Sequence, residues 1–348
     1  MNFVKTVIFL CVLVPGVVMA QNSSMYVDDF RWTVTKVKTN YPGYNDKITD
    51  GSRLDAFTEE IEAKVAQAKS EKECLQYISE WLKYFKDYHL YMTLKRGPST
   101  SSGSSDRLLS LFRFEQLDAE TGLLVVPNFN IRYKPVIDSL IESNRPFLQR
   151  SPYLILDIRN NGGGSDESFF KLLPFVYTDP MIHIGSDIWS TEDNIKKYES
   201  LMHDTRYSEE TRRHSAELVK KLSQHLNQFV IRDRDDTLRF SRVMEYPKKV
   251  FVLINGKVAS SAEGFLLQVV QSRKVVLVGQ HSRGELDYAN VNFLDTPSGK
   301  FTLGCPTTRS RRVPEQAIDN IGVQPHVVLP AEEDWVRYVQ QRKGTLGR

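Results

Sequence analysis

Val250-Phe-Val-Leu-Ile-Asn-Gly-Lys-Val-Ala-Ser-Ser-Ala-Glu-Gly-Phe265 reads as a short apolar strand, a tight turn and the opening of a helix at Ser260 or Ser261. A hydroxyl at that point faces the free N–H groups and the positive dipole end of the helix, which favour developing negative charge. The residue after that hydroxyl can then donate its own N–H. The same letters also fit a plain capping box, with Ser260 as N-cap and Glu263 closing it.

A second stretch, Leu154-Ile-Leu-Asp-Ile-Arg-Asn-Asn-Gly-Gly-Gly164, is an apolar strand running into three glycines. Such a turn can present backbone N–H groups with no side chain in the way, which suits an oxyanion, and it fits an ordinary strand-to-helix turn equally well. It lacks the G-x-G-x-x-G spacing of a dinucleotide loop. Further strands are predicted at Leu123 to Pro127 and Val275 to Gly279, with an amphipathic helix at Ala262 to Gln271, so the second part of the chain reads as α/β. Its charged, helix-favouring stretch between Trp189 and Asn227 predicts a helical insert over residues 186–230. Ahead of this core, Arg53 to Lys69 and Glu71 to Asp87 predict two helices, the second opening on a Ser70–Glu73 capping box. His89 to Leu94 alternates like a strand, and residues 97–105 form a Ser- and Gly-rich loop.

The 348 residues carry 46 Lys and Arg against 43 Asp and Glu, a net charge of +3 that does not point to a nucleic-acid partner. Lys5, the apolar run Thr6 to Val14, Pro15 and the small-residue end Val18-Met19-Ala20 resemble a secretory leader cut after Ala20, which predicts an exported chain, secreted or periplasmic, of net charge +2. No later run is long enough to span a membrane. Beyond the leader only Cys74 and Cys305 remain, too few for a disulfide scaffold or a thiolate zinc site, and two buried free thiols are expected. His183, His203, His214, His225 and His326 have no metal-ligand spacing, so neither metal nor cofactor is expected.

Taken together, the strand ending in Asp-x-Arg-Asn-Asn-Gly-Gly-Gly, the later strand-Asn-x-x-x-Ala-Ser-Ser-Ala-Glu and Val275-Val-Leu-Val-Gly279 resemble the protease core of the C-terminal-processing (tail-specific) and tricorn-like serine peptidases over roughly residues 120 to 330. The resemblance implies a ClpP/crotonase-like α/β (α+β) core of stacked β-α units. It makes Ser260 the nucleophile, with oxyanion N–H groups from Ser261 and from Gly162 or Gly163. Many relatives take a lysine base from the loop after the Val-Gly strand; here that loop is Gly279-Gln-His-Ser-Arg-Gly-Glu285, and Glu285 stands where the lysine would. The histidine-base branch uses an Asp-Gly-His-Thr-like motif, resembled by Asp87-Tyr-His89-Leu-Tyr-Met-Thr93 with Tyr88 in place of glycine. His89 becomes the implied general base, and Asp319, in Ile318-Asp319-Asn-Ile-Gly-Val-Gln-Pro-His326, the implied group that orients it. His281 is a rival base in the loop that lost the lysine; Glu285 and Glu263 are secondary candidates.

The resulting division is a leader at 1–20, a helical N-terminal domain at 21–96, a linker at 97–121, a core at 122–330 and a C-terminal helix at 331–348. No PDZ domain fits between the helical part and the glycine turn. The implied activity is hydrolysis of peptides or unfolded protein segments in a cleft between helical part and core, with Arg309, Arg311 and Arg312 available to a peptide carboxylate. A degraded relative that binds apolar or peptide ligands, and an esterase using the same triad, are the competing readings. The oligomeric state is open.

Overall fold

The computed structural model describes residues 15–95 and 107–347. The apolar stretch of the expected leader and the Ser-rich loop at 97–105 lie outside them. Three long helices come first, α1 (Pro15–Asn40), α2 (Gly51–Ala66) and α3 (Glu71–Leu82), with a single helical turn at Tyr44–Lys47 between α1 and α2. Asp50 and Ser70 cap α2 and α3 by accepting from Arg53 N–H and Glu73 N–H, which supplies acceptors for helix-start N–H groups that have none within the helix. The residue pattern does not announce helix α1, for a definite reason. Its buried face runs Tyr26, Phe30, Thr33, Val37, and the polar Asp29 and Asn40 are buried with it, so the apolar stripe is interrupted. Asp29 is satisfied across the fold by Ser298 N–H (3.0 Å) and Ser298 Oγ (2.5 Å).

The core is a six-stranded sheet in the order β15 (Val327–Val328), β10 (Val275–Gly279), β9 (Lys249–Ile254), β4 (Tyr153–Asp157), β3 (Thr121–Val125), β2 (Arg113–Gln116). All neighbours are parallel except the edge strand β2. Leu154, Leu156, Val250, Val252, Val275 and Leu277 pack on one face with helices α4 (Lys134–Ser143) and α7 (Ser261–Val269); Ile155, Phe251, Leu253, Val276 and Val278 pack on the other with α8 (Trp335–Arg342). Both faces are therefore covered, and the strands read as unbroken apolar runs rather than alternating ones. Because β4 and β9 are adjacent and parallel, with Asp157 opposite Leu253, the turns leaving their carboxyl ends lie side by side. That edge is where open α/β sheets place their sites.

Three smaller sheets complete the fold. β1 (Tyr91–Leu94) pairs antiparallel with β13 (Phe301–Cys305), which also pairs with β12 (Asn292–Asp295); β11 (Tyr288–Ala289), β14 (Thr308–Ser310), β6 (Ser186–Trp189) and β7 (Phe229–Asp233) form a four-stranded sheet; β5 (Met181–His183) pairs with β8 (Asp236–Leu238). The insert expected as helical is a hairpin of α5 (Glu192–Met202) and α6 (Glu209–Gln224) closed at its base by β6 and β7. Its strands are only four and five residues long, so helix-favouring letters dominate the stretch. The β1–β13 pairing stitches the N-terminal helices to the core, and Phe301, Leu303 and Cys305 bury themselves among Phe30, Ile78, Trp81 and Phe85. Gly304 leaves room for the Tyr91 ring opposite it, since a Cβ there would stand 2.8 Å from that ring. Cys74 and Cys305 are free and buried, and burial pushes the Cys74 thiol up to about 12. Among the described residues no helix is long and apolar enough to cross a membrane.

Candidate active site

Ser260 sits at the N-terminus of α7 with φ +57° and ψ −129°, a backbone setting that L-residues rarely occupy and that costs of order 1–3 kcal/mol unless the surroundings impose it. They do so here with several hydrogen bonds. Ala259 N–H donates to Asn161 O (3.1 Å), Ser260 N–H donates to Glu285 O (3.1 Å) and to Glu263 Oε2 (3.2 Å), and Arg283 N–H donates to Val258 O (2.8 Å). Glu263 ties the turn together. It is fully buried, accepts on Oε1 from Ser282 Oγ (2.5 Å) and Gly284 N–H (2.6 Å) and on Oε2 also from Glu285 N–H (2.8 Å). Burial pushes its carboxyl up, and these donors counteract the shift. The capping-box carboxylate is thus present, but it binds the Ser260 turn and the loop after β10 into one unit.

The glycine turn lies against this unit. Gly163 has φ +91°, and a Cβ on it would stand 2.7 Å from Ala259 O and 2.8 Å from both Ser260 Cβ and Ser261 N. Only glycine permits that approach. The Gly163 N–H donates to Asn161 Oδ1 (2.9 Å), so of the two alternatives for the glycine-turn donor this one is committed elsewhere. Gly162 is exposed, and its N–H meets no acceptor among the described residues. Ser261 supplies the first N–H of α7, which has no acceptor within the helix.

His89 enters from the N-terminal side. It follows Asp87 in the turn before β1, and the Asp87 carboxylate holds that turn by accepting from His89 N–H (2.8 Å) and Tyr41 Oη (2.7 Å). The imidazole is buried and lies between two partners. Nδ1 is 2.7 Å from Tyr288 O and Nε2 is 3.2 Å from Ser260 Oγ. A carbonyl only accepts, so Nδ1 carries the proton and Nε2 presents its lone pair to the serine. In this geometry Nε2 is placed to accept a proton from the Ser260 hydroxyl.

The direct contact expected between Asp319 and His89 is not formed. Asp319 Oδ1 instead accepts from Leu286 N–H (3.0 Å) and Asp287 N–H (2.9 Å), and Asp287 Oδ2 accepts in return from Ile318 N–H (2.6 Å) and Asp319 N–H (2.7 Å). This reciprocal clamp fixes the segment that carries Tyr288, whose carbonyl occupies the position at Nδ1. Burial, then Asp87 and Asp287, push the Asp319 carboxyl up to about 7, and Lys47 Nζ stands 3.6 Å from its Oδ2. Burial likewise pushes Asp87 up to about 6. A backbone carbonyl leaves no signature in the letters, which is why sequence reasoning misses Tyr288.

The rival base is not brought to the site either. His281 is exposed and its Nδ1 bonds Ser282 O (2.7 Å). Glu285, in contrast, is there: its Oε1 is 3.6 Å from His89 Nε2. The arginines suggested for a peptide carboxylate are spent on ion pairs, Arg309 with Asp46 (2.6 Å), Arg311 with Asp187 (2.9 Å) and Arg312 with Asp287 (3.4 Å). No group of side chains suited to a metal ion occurs among the described residues.

Known proteins agree with this arrangement at the level of fold. Mature CPAF superposes with a TM-score of 0.61 at 13% identity, covering 90% of this chain and 93% of its own; its complex with lactacystin gives 0.60 at 13%, covering 90% and 94%. A lipoprotein from Streptococcus agalactiae gives 0.52 at 16%, covering 97% and 99%. No curated protein sequence matches this chain. The model of peptidase family S41 matches residues 120–329, from β3 through β15, and so spans both the glycine turn and Ser260. The chain belongs to peptidase family S41 and is a serine peptidase, a hydrolase of peptide or protein substrates.

Proposed function

We propose that the chain cleaves peptide bonds through an acyl-enzyme on Ser260, with His89 as general base and the N–H groups of Ser261 and Gly162 as the oxyanion site. The observation that carries this reading is the pair of distances at His89, 2.7 Å from Nδ1 to a carbonyl and 3.2 Å from Nε2 to Ser260 Oγ. Nε2 takes the Oγ proton as Oγ bonds to the substrate carbonyl carbon. The oxyanion formed is met by the two N–H groups. The imidazolium then protonates the leaving amine, the C–N bond breaks, and a water deprotonated by the same Nε2 releases the acyl group. Asp319 acts on this machinery through the Tyr288 segment, and Glu263 by holding the serine turn.

Short peptides and unfolded segments are the proposed substrates, taken in the cleft between helical part and core. Export by a leader over residues 1–20 is part of the same reading. Ser260→Ala and His89→Ala should each reduce hydrolysis of an unfolded protein substrate by at least about 10⁴-fold, with folding checked by thermal melting. Unchanged turnover in Ser260→Ala would overturn the assignment. Comparing matched ester and amide substrates separates peptidase from esterase use of the site.

A further inference from the structure

The loop after β10 brings one more charged group to the reacting atoms. Glu285 Oε1 lies 3.6 Å from His89 Nε2, the nitrogen that faces Ser260 Oγ at 3.2 Å. Its backbone is held at both ends, with Glu285 N–H donating to Glu263 Oε2 (2.8 Å) and Glu285 O accepting from Ser260 N–H (3.1 Å). The side chain therefore projects from the same rigid unit that fixes the nucleophile. Its second oxygen, Oε2, is 3.1 Å from Arg283 Nε, and the Arg283 guanidinium lies 4.5 Å from the centre of the exposed Tyr88 ring.

The position matters because Nδ1 of His89 has a neutral partner. The Tyr288 carbonyl fixes the tautomer but brings no net charge to an imidazolium, whereas in a serine triad a carboxylate does both. The carboxylate near the imidazole is on the opposite nitrogen, where it meets a positive charge only once Nε2 takes a proton. We infer that Glu285 is a positioning residue that supplies the counter-charge for the His89 imidazolium, and that Arg283 sets how much of that charge His89 feels. No proton is transferred to Glu285: Nε2 takes the serine proton, holds it beside the carboxylate and returns it to the leaving amine. The same Coulomb term has the opposite sign for a lysine at this position, whose ammonium would oppose imidazolium formation. Other charges facing the pair are Asp87 from the turn before β1 and Glu263 from α7, with Tyr91 from β1 beside Glu285 and Lys47 and Asp319 behind Asp87. Burial and the two acidic neighbours push the Glu285 carboxyl up, while His89 and Arg283 pull it down.

Glu285's role presupposes the Ser260–His89 reading, so the test reads both. A fluorophosphonate modifies an activated serine as the Oγ–P bond forms and fluoride leaves, and its rate is measured against pH for the wild type, Glu285→Gln and Arg283→Gln. In Glu285→Gln the plateau rate should fall about tenfold, the equivalent of one pH unit of lost charge interaction, and the acid limb should move to lower pH because the neutral imidazole is favoured. Glu285→Asp should restore part of the rate. In Arg283→Gln, a change at a half-exposed side chain, the acid limb should move the other way, to higher pH. Limbs that stay in place, or move in the same direction in both variants, overturn the inference, since simple damage to the loop does not give opposite shifts. If Glu285→Gln does not fold, Arg283→Gln carries the test alone. Failure of wild-type Ser260 to react would instead remove the Ser260–His89 reading itself.

Discussion

The two halves of the site are built by different means. The serine half comes from two neighbouring parallel strands, β4 and β9, whose register places the glycine turn and the Ser260 turn in contact. Every residue needed for that contact lies within a few positions of a strand end. The histidine half has no such local origin. His89 reaches Ser260 because β1 pairs with β13, more than two hundred residues later, and because Tyr288, between the core and β13, offers its carbonyl to Nδ1. The first half depends on short-range turn geometry and the second on long-range pairing, so the two should fail differently.

Ser260→Ala and His89→Ala break one half each and have the largest expected effect, as given above. Gly163→Ala comes next. Its Cβ meets backbone atoms at 2.7–2.8 Å, and its φ of +91° disfavours alanine as well. We expect about a 100-fold loss of activity, the scale of losing one oxyanion donor, because the new Cβ would push the Ser261 N–H out of place, or loss of the folded state, distinguished by melting. Gly162→Ala is the matched control: a Cβ there meets nothing within 4 Å, and the N–H is retained, so activity within about threefold of wild type is expected.

Asp319 sharpens the comparison on the histidine side. An asparagine in its place would keep an acceptor for Leu286 and Asp287 N–H, so Asp319→Asn should retain activity within about tenfold, while Asp319→Ala leaves two N–H groups unpaired and should lose more. A direct Asp319–His89 partnership predicts instead that the asparagine is as damaging as the alanine. The pH dependence of stability gives a second readout. With a folded-state carboxyl raised to about 7, the folded chain binds more protons than the unfolded one between about pH 4 and 7, so this group's contribution declines as pH rises across that window and levels off above it. Asp319→Asn should flatten that decline by about 2–4 °C in melting temperature between pH 5 and pH 8. Asp87, raised in the same direction by burial, leaves a residual slope.

Much of the serine half is legible in the letters. Buried parallel strands appear as unbroken apolar runs, so β4, β9 and β10 can be read to within a residue or two of their ends, and Ser260, Ser261 and the glycine turn follow from what comes after them. His89 is legible only by resemblance, because β1 and β13 are four and five residues long and nothing in either names its partner. Two features of the site that the letters do not show share one physical cause. The Tyr288 carbonyl and the Gly163 N–H are backbone groups, common to every residue, so their partners emerge only when the chain is folded; a carboxylate such as Asp319 draws attention by its type. Helix α1 is hidden by its buried Asp29, Thr33 and Asn40, polar groups whose partners lie elsewhere in the chain or in the turn above.

The most direct test of the account is to react the folded chain with a fluorophosphonate, locate the modified residue by mass spectrometry and compare rates in the wild type and His89→Ala. A single adduct on Ser260, formed at least about 10³-fold faster when His89 is present, is the predicted result. Modification of a different residue, or a Ser260 rate indifferent to His89, would contradict it.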